Sequence, residues 1–248
     1  MGTLRSELFK LRTTRATKVV VASAILLPAI IFILTSMFAF RSGRIEESLV
    51  SMLGLYVPLT SLLLGVVGVL CSTQEYSQGT IRITLVATPH RMKVLLSKML
   101  TMLIVAFVAS AVLVAVCLVP SQFILDYREV TFDLIGADIR VIFGVFILAT
   151  LMAELGLALG LIFKSSPGAI SALLLWPTIL EGLIFGLLSL AFDRNLIRFA
   201  PIQGNGFRLI STYFTADENT WAVSLAYFGG FISIFVVLSA ILFSRRDA

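Results

Sequence analysis

Two glutamates, Glu154 and Glu181, are the side chains best suited to chemistry, because each lies within a long run of apolar residues. An unpaired carboxylate deep in a membrane costs several kcal/mol, so it should face a protein interior, a wet cavity or another polar group. Three roles remain open: a polar contact between helices, the lining of a substrate pathway, or a proton relay. Pro177 lies one helical turn before Glu181 and is predicted to kink the same helix.

The other reactive residues form no recognisable catalytic or metal-binding pattern. The single histidine, His90, has no serine, cysteine or metal ligand at a recognisable spacing. Cys71 and Cys117 fall near opposite ends of their apolar blocks, which argues against a disulfide. A phosphate loop of the form GxxxxGKS/T is missing from the sequence, so the chain should not hydrolyse nucleotide. We therefore expect no enzyme activity, no metal site and no cofactor bound by this chain itself.

Apolar blocks of about twenty residues dominate the chain, and this is the length that a helix needs to cross a bilayer. Of 248 residues, 58% are hydrophobic and only 13% are charged. Backbone polar groups have no water inside a membrane, so such blocks must be helices. The sequence predicts an all-α polytopic membrane protein with a single transmembrane domain, 1–248, and six transmembrane helices at about 19–40, 50–71, 99–119, 141–163, 168–192 and 221–243.

The distribution of charge orients these helices. Most of the 19 basic residues fall in the segments on the side of the two termini, whereas acidic residues concentrate on the other side. The positive-inside rule therefore predicts that both termini are cytoplasmic. The net charge of +5 suits anionic lipid headgroups, and no basic stripe with interleaved aromatics indicates nucleic-acid binding.

The N-terminal segment 1–18 is predicted to lie on the cytoplasmic side of the membrane. Within residues 3–17, Leu4, Leu8 and Leu11 share one helical face, and the basic residues mostly lie elsewhere around the helix. This spacing predicts an amphipathic helix at the headgroup level. The alternative is a positively charged flank without regular structure.

The connection 72–98 is too long for a simple turn and too polar to span. Gly79 breaks the chain after the second span, and Thr80 can cap a short helix at Ile81–Ala87. The Thr-Pro pair at 88–89 predicts the start of a second helix that runs into the third span. The resulting corner is either a rigid attachment point for a partner protein or an ordinary structured loop.

Two further features concern packing. The extracellular loop 193–220 contains proline, glycine and apolar residues that suggest interfacial or re-entrant pieces, either as an outer gate or as simple packing. Small residues four apart let helix backbones approach closely in membranes. Such pairs occur in the fourth and fifth spans, and they pack either this hairpin or a second copy: Gly156 with Gly160, and Gly182 with Gly186.

Residues 74–82 read Gln-Glu-Tyr-Ser-Gln-Gly-Thr-Ile-Arg, and Ala-Thr-Pro-His-Arg follows at 87–91. With Lys98, they resemble the E-Y-x-x-G-T-I-R … T-P-x-R … K segment of membrane-spanning subunits of type-2 ABC transporters. The segments 6–12 and 163–169, and Trp-Pro at 176–177 with Glu181, are similar to the same family. His90 departs from its pattern, because the family often has arginine there.

This resemblance implies a permease subunit of an ATP-driven exporter in the bacterial cell (inner) membrane. Two copies, or one copy and a paralogue, would form the pathway for drugs, peptides or lipid-like molecules. A separate ATPase subunit, which binds ATP and Mg²⁺, would dock on the coupling helix of the corner. The implied contact residues are Glu75, Tyr76, Gly79, Thr80, Arg82, Pro89 and Arg91. The alternatives are an ion-coupled secondary transporter or channel that uses Glu154 and Glu181, or a non-transporting scaffold or immunity protein.

Overall fold

A computed structural model describes residues 2–39, 49–87, 90–127, 139–211 and 219–245 of the protein. All regular structure in these residues is helical. The α-helices are α1 Gly2–Thr13, α2 Arg15–Ala39, α3 Leu49–Ser77, α4 Ile81–Ala87, α5 Arg91–Tyr127, α6 Ile139–Phe163, α7 Ser166–Leu175, α8 Glu181–Phe192 and α9 Trp221–Arg245. A π-helical stretch, Trp176–Leu180, joins α7 to α8. Between α8 and α9 lie a 3₁₀ turn at Ile197–Phe199, a π-helical turn at Pro201–Gly206 and a second 3₁₀ turn at Phe207–Ile210.

Six helical stretches in the described part of the chain are long and apolar enough to cross a membrane, which confirms the predicted all-α polytopic fold. We call them spans one to six: α2, α3, α5, α6, the stretch Ser166–Phe192, and α9. With an even number of spans, α1 and the end of α9 lie at one end of the bundle, here called the terminal face. The other end is the opposite face.

Span three is longer than the sequence predicted. The prediction ended it at residue 119, immediately before Pro120, but α5 continues through that proline to Tyr127. A proline inside a helix removes one hydrogen bond and bends the axis, and in a membrane neighbouring groups can satisfy the freed carbonyl. At its other end, α5 begins at Arg91, so its polar first turns and its apolar body form one continuous helix.

Span four lies at the centre of the bundle and packs most closely on span two. A Cβ atom added to Gly156 would overlap the carbonyl oxygen of Gly65, and one added to Gly160 would overlap the Ser72 hydroxyl. These two glycines therefore bring α6 against α3, not against span five. The second pair differs: Gly182 lies beside the side chain of Gln203, and a Cβ at Gly186 would meet no described atom within 4 Å.

The amphipathic helix α1 lies across the terminal face. Leu11 is buried, and Leu4 and Leu8 are half-buried, as their shared face requires. The helix ends at Thr13, four residues earlier than the predicted segment, because span one already begins at Arg15. α1 thus forms a short arm that packs beside α5 and α2.

Candidate functional site

The corner between spans two and three combines a left-handed glycine with a short exposed helix. Gly79 has φ +66°, a conformation that favours glycine because other residues carry a Cβ that crowds the backbone there. The chain then forms α4, which was predicted at these residues. Ile81 is buried at its start, whereas Ile83 and Val86 are 70% and 84% exposed. α4 therefore carries two apolar side chains that the described protein leaves uncovered.

A ring of four alternating charges holds this corner in place. The Glu7 carboxylate of α1 accepts hydrogen bonds from Lys10 at 2.6 Å and from Lys98 of α5 at 2.7 Å. Glu75, in the last turns of α3, pairs with Lys10 at 2.6 Å and with Lys98 at 3.0 Å. Two acids and two bases close the ring, so it is neutral. We call these residues (Glu7, Lys10, Glu75 and Lys98) the charged ring.

Most of the charged ring is buried. The Lys98 side chain is 1% exposed, and its ammonium also donates to the carbonyl oxygen of Cys71 at 3.3 Å. Lys10 stands at the open edge. Burial acts to lower the pKa of Lys10, but its hydrogen bonds and charge attraction to Glu7 and Glu75 outweigh burial and raise that pKa above its ordinary value. Such a ring is stable only while all its charges are matched, because each buried charge needs its partner.

The predicted contact residues divide between the inside and the outside of the corner. Glu75 faces the charged ring and is buried, so it fixes the corner from within. Tyr76 turns toward the connection between spans four and five, where the Lys164 ammonium lies 5.2 Å from the centre of its ring. Gly79 is exposed and Thr80 is half-buried.

Arg91, Arg82 and Pro89 complete the predicted set. Arg91 begins α5, and its guanidinium is 3.4 Å from the carbonyl oxygen of Phe243 near the end of span six. Arg82 lies in α4, but its side chain is outside the part that the structure describes, and Pro89 falls in the gap at 88–89.

Within span five, Glu181 anchors the segment between spans five and six. Glu181 is 0% exposed, and its carboxylate accepts hydrogen bonds from the backbone N–H of Ile202 at 2.9 Å and of Gln203 at 2.6 Å. The indole N–H of Trp176 donates to the same carboxylate at 3.1 Å. These three donors satisfy the carboxyl oxygens of Glu181. The side chain therefore caps the first turn of Pro201–Gly206.

The π-helical stretch around Pro177 provides a second attachment for this segment. The predicted kink takes the form of a wider turn, which commonly marks a functional irregularity in a helix. The side-chain amide of Gln203 donates to the carbonyl oxygen of Pro177. The irregular part of span five thus offers both a carboxylate and a carbonyl to the same neighbour.

Residues 197–210 fold back into the bundle and form what we call the re-entrant segment. Ile202, Leu209 and Ile210 are buried, although the segment connects two spans. A Cβ at Gly54 or Gly144 would overlap the carbonyl oxygen of Ile210 or Leu209, respectively. The re-entrant form anticipated for the loop 193–220 is therefore present in its first half, and residues 212–218 lie outside the described part.

Comparison with protein families adds an independent observation to this geometry. The family model described as ABC-2 family transporter protein matches residues 3–177, which is well over half of the chain. The chain belongs to this family. It is a type-2 ABC transporter permease, and the match includes α1, the charged ring, α4 and the start of the π-helical stretch. No match is found among curated proteins.

Glu154, the other intramembrane acid of the permease, has a different environment from Glu181. It is 8% exposed, and its Oε2 atom makes no hydrogen bond with any residue in the described ranges. The two glutamates therefore do not share one hydrogen-bond network. The carboxylate of Glu181 binds the re-entrant segment, whereas the buried Oε2 atom of Glu154 has no donor among the described residues.

Three residues of the charged ring lay in segments that carry the family resemblance but were not among the predicted contact residues: Glu7, Lys10 and Lys98. The signals were present but indirect. Glu7 is an acid within a basic N-terminal segment, and Lys98 is a charge at the start of an apolar block. Isolated charges in such places usually have a partner of opposite sign, but no local spacing indicates which residue that partner is.

Proposed function

We propose that the permease is the transport subunit of an ATP-driven exporter, and that a separate ATPase subunit docks on α4. The observation that carries this proposal is the corner itself, in which a short helix presents Ile83 and Val86 to the outside. Exposed apolar side chains on a rigid support suit a protein partner. ATP and Mg²⁺ would be bound by that partner, because the chain has no phosphate loop.

In this proposal the terminal face is the cytoplasmic side of a bacterial inner membrane. The excess of basic residues near both termini supports this orientation. The charged ring would transmit force, because it ties the helix before α4 to α1 and to the helix after it. A push on α4 would then move α1, α3 and α5 together.

A second permease, either another copy or a paralogue, would complete the pathway. Spans five and six support this, since only 17% of the residues in the apolar window of each are buried. Lipid can cover such faces, but a pathway for a solute needs protein on more than one side. The irregular backbone of span five suits such a place, because irregular structure in a membrane lines protein or a cavity.

The test is recovery of the ATPase from membranes. A tagged permease should co-purify with a Walker-A protein, and Ile83→Asp should abolish its recovery and its ATP hydrolysis. Phe9→Asp is the matched control, because Phe9 is also an exposed apolar residue near the terminal face but belongs to α1. Equal recovery with both variants would contradict docking on α4.

The ion-coupled alternative now depends on Glu154 alone, because Glu181 is occupied by the re-entrant segment. If that alternative is right, the purified permease in proteoliposomes should carry protons down a pH gradient without ATP, and Glu154→Gln should stop it. A trapped pH-sensitive dye measures this directly. If the permease carries no protons and no ATPase is recovered with it, the scaffold or immunity role is favoured.

A further inference from the structure

Two side-chain contacts join the end of span two to the turn between spans four and five. The hydroxyls of Thr73 and Ser166 share a hydrogen bond of 2.6 Å. Three residues further along α3, the Tyr76 ring lies 5.2 Å from the Lys164 ammonium, in the geometry of a cation–π contact. Lys164 has φ +55°, an unusual backbone conformation for a residue with a Cβ. Contacts with α3 thus hold the turn between spans four and five.

These contacts lie on the other side of α3 from the charged ring. An α-helix has about 3.6 residues per turn, so Thr73 and Tyr76 share a face, whereas Glu75 points away from Thr73. Glu75 meets Lys10 and Lys98, while Thr73 and Tyr76 meet the turn at 164–166. The last turns of α3 therefore connect the charged ring with the beginning of span five.

Span five has a comparable attachment near its middle, where α8 begins. Glu181 lies 15 residues after Ser166, which is about 22 Å along a helix at about 1.5 Å per residue, and it holds the re-entrant segment. Between Ser166 and Glu181, only Ala169, Leu173 and Pro177 of span five are buried in the described chain. This single stripe packs on the bundle, and the polar contacts with α3 and with the re-entrant segment hold the helix on either side of it.

We propose that Thr73 and Tyr76 are positioning residues that join the corner to span five, so that movement of the corner reaches Glu181 and the re-entrant segment. The proposal rests on the proposed function in one respect, namely that an ATPase moves the corner. The link itself is a property of the permease alone. Coupling over such a distance needs a physical chain of contacts and a direct test.

Hydrogen–deuterium exchange of the purified permease provides that test. Thr73→Val keeps the shape of the side chain and removes the hydroxyl. If the link exists, amides in the re-entrant segment, about 22 Å away, should exchange about two- to thirteenfold faster, the range expected when a hydrogen bond of ordinary strength is lost. Thr73→Ser, which keeps the hydroxyl, should restore the wild-type rate.

Thr60→Val is the matched control. Thr60 lies on the same helix and its hydroxyl also makes a buried interhelical hydrogen bond, but to the carbonyl oxygen of Ala24 in span one. It should leave exchange in the re-entrant segment unchanged. The aromatic contact is tested separately by Tyr76→Leu, which removes the ring and should accelerate exchange.

The possible outcomes separate this link from the proposed function. Equal exchange in Thr73→Val and Thr60→Val would overturn the link, whatever the ATPase recovery shows. If Thr73→Val accelerates exchange throughout the protein, Ser166→Ala cuts the same bond from the other side and decides the matter: an unchanged re-entrant segment there overturns the link. Faster exchange restricted to the turn and the re-entrant segment supports it, even if no ATPase is recovered.

Discussion

The charged ring and the Glu181 anchor both hold a polar group in an apolar protein, but they do so by different means. The ring matches side-chain charges from α1, α3 and α5. Glu181 instead receives two backbone amides and an indole N–H, which are neutral donors. A matched ring fixes three helices relative to one another and fails when one charge is lost. Glu181 can release its partners without leaving a second charge unpaired, because those partners are neutral.

This difference suits the proposed function. If an ATPase pushes on α4, the corner should remain rigid so that the movement reaches several helices. The re-entrant segment would then need an attachment that holds at rest and can be exchanged for water when the pathway opens. The predictions below test whether the two attachments really differ in this way.

The largest effect is expected from Lys98→Met. The variant leaves Glu7 and Glu75 buried with only Lys10 between them, and breaking a buried pair costs about 3–5 kcal/mol. Thermal unfolding in detergent measures the loss. Lys93→Met, an exposed lysine near the start of the same helix, should change stability by less than about 0.5 kcal/mol. Similar losses in both would show that the ring does not hold the corner.

A smaller effect is expected from Glu181→Gln. Glutamine keeps one acceptor oxygen in place of two, so at least one of the donors to this position loses its acceptor, and a buried unsatisfied donor costs about 1–3 kcal/mol. The loss should be local, so proteolysis within the re-entrant segment should accelerate while the terminal face stays protected. Global unfolding as large as that of Lys98→Met would remove the proposed distinction between the two regions.

The smallest effect is the pH dependence of the stability that Lys10 contributes. Because its pKa is raised in the folded protein, Lys10 contributes stability that is fully present below its ordinary pKa of 10.5 and is lost as the pH rises through the folded value. The difference in stability between wild type and Lys10→Met should therefore be constant near neutral pH and shrink only in strongly alkaline buffer. A difference that already declines between pH 6 and pH 8 would contradict a raised pKa.

The helical architecture was predictable from the sequence because the bilayer dictates the length and composition of each span. α4 was also predictable, since Gly79 and Thr80 are local signals. The charged ring was not, because Glu7 and Lys98 are 91 residues apart and only the packing of α1 brings them together. For the same reason, the sequence located Glu75 at the corner without indicating that its side chain faces inward.

The intramembrane acids show a similar limit. Position within an apolar block identified Glu154 and Glu181 as unusual, and three roles fitted both. Only the fold distinguishes them, because the two backbone donors to Glu181 come from a segment about twenty residues further along the chain. Likewise, two glycine pairs with the same spacing have different surroundings: one brings α6 against α3, whereas a Cβ added at Gly186 of the other would meet no described atom of another element within 4 Å.

Photocrosslinking at α4 tests most directly whether the corner receives an ATPase. A photoreactive amino acid in place of Ile83, in membranes of cells that produce the permease, should give one crosslinked product that contains a Walker-A protein. The same substitution at Leu190, which is also highly exposed but lies near the end of span five, should not. The same product from both positions, or none from position 83, would contradict the account.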